Sequence, residues 1–153
     1  MPLITLPDNS KKSFTNPIKL IDLAKSISLS LAKRTICGNV NDTLVDTDFI
    51  IQSDSTVKLL TDKDQESLEV VRHSTAHLMA HAVKNLYPDT QVTIGPVVEN
   101  GFYYDYYREK PFSPDDLQKI EKEMHKIAKQ NISLTRGLMD RTCLLYTSPS
   151  PRD

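Results

Sequence analysis

A turn-forming cluster, Pro7-Asp8-Asn9-Ser10, sits between two short β-prone runs, and an amphipathic helix pattern follows almost at once. This order restricts the fold more than any other feature of the chain. Leu3-Ile4-Thr5-Leu6 reads as one strand, and residues 11–15 pair back on it, because Asp and Asn side chains stabilise tight turns. Pro17 suits the first turn of a helix, with Asn16 as its N-cap. Ile18, Leu20, Ile21, Ala24 and Ile27 supply an apolar face for about three turns. Short strand-like runs come next, at residues 35–40, 43–45 and 56–61, with Asn41-Asp42 as a turn.

Hairpin, helix, then short strands is the order of a β-grasp (ubiquitin-like) module, an α+β unit whose sheet packs on one helix. It takes residues 1–61. The charged stretch Thr61-Asp62-Lys63-Asp64-Gln65-Glu66 bounds it, and its acids favour the start of a second helix. That helix is expected to stop at Tyr87-Pro88. Leu68, Val71, Leu78, Ala82 and Leu86 share one stripe, with Thr75 in its gap. His73, His77 and Lys84 fall nearly opposite, with His81 just beside them. Residues four apart on a helix are neighbours, about 5–6 Å between Cβ atoms. His73 and His77 can therefore address one small object together: a divalent metal, a phosphate, or an ester undergoing proton transfer. On spacing alone, the plainer reading is the wet side of an amphipathic helix.

Residues 91–106 contain two β-prone runs around Asn100-Gly101, a hairpin signal because both residues tolerate positive φ. Alternation puts Phe102, Tyr104 and Tyr106 on one face of this Tyr-rich β-hairpin, and Tyr103 with Asp105 on the other. Ordinary sheet packing accounts for most of these rings, yet hydroxyl-tipped rings beside a histidine face would also make a pocket with hydrogen-bond reach. Ser113 as N-cap, Pro114 as first residue and acids in the first turn open a last helix. Its apolar stripe (Leu117, Ile120, Met124, Ile127) should lie across the hairpin. The opposite face carries Lys119, Lys122, Lys126 and Lys129, a solvated face before it is a phosphate track. Beyond about residue 136 periodicity and caps vanish. Residues 137–153 read as a non-native tail, such as read-through of an adapter sequence.

Bulk properties narrow the function classes. In 153 residues, 39% hydrophobic and 25% charged content fit a soluble globular chain with no run able to span a membrane. The first residues lack a secretory signal, so a cytoplasmic location is expected. Cys37 and Cys143 make neither a disulfide framework nor a zinc cluster by themselves. A net charge of −1 confines any nucleic-acid contact to a local patch.

Three stretches then converge. Residues 1–10, Arg72-His73-Ser74-Thr75-Ala76-His77-Leu78-Met79-Ala80-His81-Ala82-Val83, and Ile94-Gly95-Pro96-Val97-Val98-Glu99-Asn100-Gly101-Phe102-Tyr103-Tyr104-Asp105 closely resemble the N-terminal end of bacterial-type threonyl-tRNA synthetases. The resemblance runs in order from residue 1 to about residue 136. It implies a TGS domain at 1–61 and the N-terminal part of an editing domain at 62–136. It also implies a ligase that joins threonine to tRNA(Thr) using ATP, with a separate site that hydrolyses mischarged Ser-tRNA(Thr). A zinc ion in the synthetic site of such enzymes can demand a hydroxyl and so exclude valine, but serine also has one. A pocket rejects a missing methylene by only about 1–3 kcal/mol, so serine must be cleared elsewhere.

By the same resemblance, His73 and His77 belong to the editing cleft as catalytic residues, and Tyr104 is a substrate-binding candidate. No metal is expected at this pair, although the related alanyl-tRNA synthetase editing domains bind zinc there. The family's Cys-x-x-x-His half of the editing site, its ATP motifs and zinc ligands, its anticodon-binding domain and its dimer-forming core have no counterpart in this sequence. The chain is therefore expected to be a truncated piece, binding neither ATP nor zinc itself, from an enzyme that is a homodimer when whole. A stand-alone TGS adaptor that binds RNA or protein without catalysis is the alternative. A small metal hydrolase would need a third ligand, for which Glu66 and Glu69 are the acids nearest that helix face.

Overall fold

In the computed structural model, which describes residues 1–134 and 137–140, the turn at residues 7–10 closes the expected hairpin. Strands Leu3–Thr5 (β1) and Lys11–Ser13 (β2) pair antiparallel, Ile4 opposite Lys12. Asn9 takes a left-handed φ of 63°, which asparagine tolerates. Asp8 accepts from the Ser10 amide at 3.0 Å and from its hydroxyl at 2.6 Å.

The first helix begins later than Asn16 and Pro17 suggest. Ile18–Lys19 is extended (β3), and the helix runs Leu20–Ile27 (α1) without a side-chain cap. The Leu20 and Ile21 amides instead donate to the carbonyls of Phe49 and Thr47, at 2.9 and 3.0 Å. A distant loop thus satisfies the orphan donors that a local N-cap would take. A second, short helix that the apolar pattern did not announce follows at Leu29–Arg34 (α2), with Ser28 as its N-cap. Strands Thr35–Val40 (β4), Thr43–Val45 (β5), Ile50–Ile51 (β6) and Ser55–Thr61 (β7) complete the unit. The main sheet has the order β2-β1-β7-β4-β5, with β1 and β7 parallel, while β6 pairs with β3.

Ile4, Leu20, Leu23, Val40, Ile51 and Val57 form its sealed core. Gly38 leaves room for Leu20 there: a Cβ on it would lie 2.5 Å from a Leu20 methyl carbon, which would have to move. The expected α+β architecture, sheet on helix, is present.

Helix Gln65–Leu86 (α3) follows within four residues of β7. Asp64 stands at its N-cap position but turns its carboxylate back to the Thr61 amide at 2.7 Å, a bond that lowers its pKa. Arg34 pairs with Asp62 at 2.7 Å, and Cys37 meets Ser67 at 3.9 Å where the sheet abuts the helix.

The expected apolar stripe of α3 is only partly the buried one. Ala76, Ala80, Ala82 and Val83 are buried, whereas Leu68 and Val71 are each 41% exposed. A long helix buries whichever side its neighbours reach. Here small residues let them approach closely, and the larger ones at its start stay open.

Strands Gln91–Val92 (β8), Val97–Val98 (β9), Gly101–Phe102 (β10) and Tyr106–Tyr107 (β11) make one irregular ribbon. β9 pairs with β10, and β8 with β11. Its two-residue tip is Glu99-Asn100, not Asn100-Gly101, since Gly101 already pairs with Val98. Neither Asn100 nor Gly101 has positive φ, so the left-handed geometry that the dipeptide allows is unused.

Helix Pro114–Lys129 (α4) opens with Ser113 and Asp116 in a reciprocal capping box. It lies chiefly along α3 rather than across the ribbon, burying Ile120 and Ile127 against Ala82 and Val83, and Tyr106 reaches this same core. Leu117 of its expected stripe is left exposed. Among the described residues no helix is long and apolar enough to cross a membrane. Cys143 and residues 141–153 of the tail read as non-native lie outside the described residues, as do 135–136.

Candidate functional site

One helical turn separates His73 from His77 on the exposed side of α3, and their Nε2 atoms lie 2.9 Å apart. The rings meet edge to face, with centroids 4.5 Å apart and planes at 80°. Such a contact requires one ring to donate an N–H and the other to offer a lone pair, so at least one imidazole is neutral. Either tautomeric assignment satisfies this geometry. The pair can therefore take up one proton and deliver another from adjacent positions, as ester hydrolysis demands. His81 is exposed one turn further along, while Lys84 is committed to the carbonyls of Pro88 and Thr90, at 2.6 and 3.2 Å.

His73 lines a cleft of about 370 Å³ with Glu69 and Val70 from its own helix, Leu44 from β5 and Val97 from β9. Three separate elements thus line one cleft with His73. A larger, mostly apolar groove of about 510 Å³ runs on between β4, β5 and α3, past Cys37, Val71, Thr75 and Leu78. Burial pushes the Cys37 thiol up from its usual pKa, so it offers little nucleophilic thiolate to this groove.

Tyr104 is half-buried, its ring resting on Gly95 and stacking on Tyr106 at 4.9 Å and 16°. The structure thus joins His73 to His77, turns Tyr104 onto its own ribbon, and sends Val97 to the wall of the His73 cleft. Leu44 and Val97 carried no sequence signal, being ordinary apolar strand residues. Arg72 stood inside the singled-out stretch, and its Nη1 donates to the Glu99 carbonyl at 2.7 Å.

Among the described residues the buried Tyr106 hydroxyl has no hydrogen-bond partner, and burial raises its pKa. Tyr87 donates to Asp116 at 2.7 Å, and the Arg108 guanidinium lies 4.2 Å over the Tyr87 ring. The Ser113 amide and the Tyr87 hydroxyl hold the Asp116 pKa down to about 2. These groups fasten α4 to the end of α3. The four lysines of α4 are exposed, with Lys126 paired to Glu123 at 3.4 Å.

Zinc is held by at least three protein ligands, and among the described residues no group of three His, Cys, Asp or Glu is placed to hold an ion.

Comparisons with known proteins show what these residues are similar to. A family model described as the TGS domain matches residues 3–61. A threonine–tRNA ligase of Polynucleobacter asymbioticus is 52% identical over 141 residues, 92% of this chain and 22% of that protein. Threonine–tRNA ligases of Coxiella burnetii (51%) and Hahella chejuensis (49%) align over 92% and 93% of this chain and 22% of their own lengths. The chain therefore spans about a fifth of the length of the curated relatives it matches.

Proposed function

We propose that this chain, a TGS domain followed by a segment similar to the N-terminal part of threonine–tRNA ligases, carries part of a proofreading site on the open side of α3. The observation that supports this most is the hydrogen-bonded pair His73–His77, 2.9 Å apart beside a cleft. In this reading the substrate is serine esterified to the 3′ end of tRNA(Thr). The neutral imidazole takes a proton from water as the water oxygen bonds to the ester carbonyl carbon. The carbon–oxygen bond to the ribose then breaks, and the second imidazole returns a proton to the leaving ribose oxygen. Serine and free tRNA result. Of the ribbon, Val97 lines the cleft beside His73, while Tyr104 packs on Gly95 and Tyr106.

The complete ligase would use threonine and ATP, hold zinc in its synthetic site, and act as a cytoplasmic homodimer on tRNA(Thr). In this reading those sites lie outside the fifth of the relatives' length that aligns with this chain. The test is Ser-tRNA(Thr) deacylation by the complete ligase that carries this segment. His73→Ala and His77→Ala should each slow it by about a hundredfold or more while threonylation is kept. Normal deacylation with both histidines replaced would leave the TGS adaptor as the better reading.

A further inference from the structure

We infer that Arg72 is a positioning residue that holds the tip of the tyrosine ribbon against α3 and thereby sets the wall facing His73. This deepens the proofreading assignment and rests on it. The inner end of the ribbon, β9 with β10, consists of two residue pairs joined by Glu99-Asn100. A two-stranded hairpin alone in water is marginal at best, so its tip needs an outside hold. Arg72, half-buried and next to His73 in the chain, provides one through the 2.7 Å bond from Nη1 to the Glu99 carbonyl. Hydrogen bonds from a charged donor are among the stronger ones.

Among the described residues no carboxylate lies within ion-pair distance of Arg72. Its charge therefore goes to a backbone carbonyl rather than to a surface ion pair. Val97, on the strand leading into that tip, lines the His73 cleft. Releasing the tip moves this wall relative to the imidazoles without touching either ring.

The test joins two measurements. In the complete ligase, Arg72→Ala should slow Ser-tRNA(Thr) deacylation by about ten- to a hundredfold, the scale of a misplaced reacting group, with threonylation unchanged. Arg72→Lys, which can still donate to the Glu99 carbonyl, should recover most of the rate. In the 153-residue chain, nuclear magnetic resonance should show faster amide exchange at Val98 and Gly101 in Arg72→Ala. Shifted ring signals of His73 and an unchanged melting temperature should accompany it. If deacylation falls on loss of the histidines but not in Arg72→Ala, the Arg72 role is overturned while proofreading stands. Equal defects in the Ala and Lys variants also overturn it. Deacylation that survives loss of both histidines overturns the proofreading reading and this assignment together.

Discussion

The two halves of this molecule solve the problem of burial differently. In residues 1–61 a five-stranded sheet closes over α1, and Ile4, Leu20, Leu23 and Val57 are fully removed from water. In the half built on α3, one long helix is covered by α4 and a thin ribbon on part of its circumference. Its buried set (Ser67, Ala76, Ala80, Ala82, Val83) is mostly alanine. Elsewhere on its surface Leu68, Val71, His73 and His77 stay open. A sealed core stabilises but offers no reactive face. The half-covered helix gives up apolar burial and gains a wall on which His73, paired with His77, lines a cleft. The compact half is not chemically idle, however, since it lends Leu44 to that same cleft.

The contrast can be broken by mutation. Leu23→Ala should cost the first half about 2–5 kcal/mol, through lost burial and the cavity left behind. Denaturant unfolding followed at residues of each half should place that loss in the β-grasp transition. An equal loss in the α3–α4 half would mean that the two are one cooperative unit. In the ribbon, Gly95→Ala puts a methyl group into the ring of Tyr104. Overpacking of this kind costs about 1–3 kcal/mol. Here it should unstack Tyr104 from Tyr106, visible as loss of ring–ring contacts by nuclear magnetic resonance, while the first half melts as before.

Local chemistry explains what could be read from the residues. The Pro7-Asp8-Asn9-Ser10 turn, the Ser113 cap and the i, i+4 spacing of His73 and His77 are contained within a few residues, and each produced the expected geometry. The misjudged features depend on distant partners. The start of α1 is fixed by the carbonyls of Phe49 and Thr47, and Ile18 leaves the helix to pair with Ile51. The buried side of α3 is chosen by α4, the ribbon and the sheet it abuts, so Leu68 and Val71 stay exposed while alanines are buried. The cleft beside His73 draws Leu44 and Val97 from 29 residues before it and 24 after it. No periodicity within one element records such a meeting.

The smallest expected effect sharpens the comparison at the seam that fastens α4. Ser113→Ala removes the side chain that accepts from the Asp116 amide at 3.3 Å, and loss of such an N-cap costs about 1 kcal/mol. Asp116 supplies a pH test of the same seam. Its folded pKa, about 2, lies below the ordinary 3.8, so its ionised form stabilises the fold at pH values above 3.8. That contribution is lost as pH falls through the interval from 3.8 to about 2. Tyr87 is the mirror case: donating to Asp116 raises its pKa above the ordinary 10.0. Its share is present below pH 10 and disappears as pH rises through the raised value. Asp116→Asn should therefore flatten the acid limb of the α3–α4 unfolding curve relative to the unaltered chain and leave the β-grasp transition where it was. The difference between the two proteins isolates this carboxylate from the others that titrate nearby. Parallel acid limbs would show that the seam does not depend on the charge of Asp116.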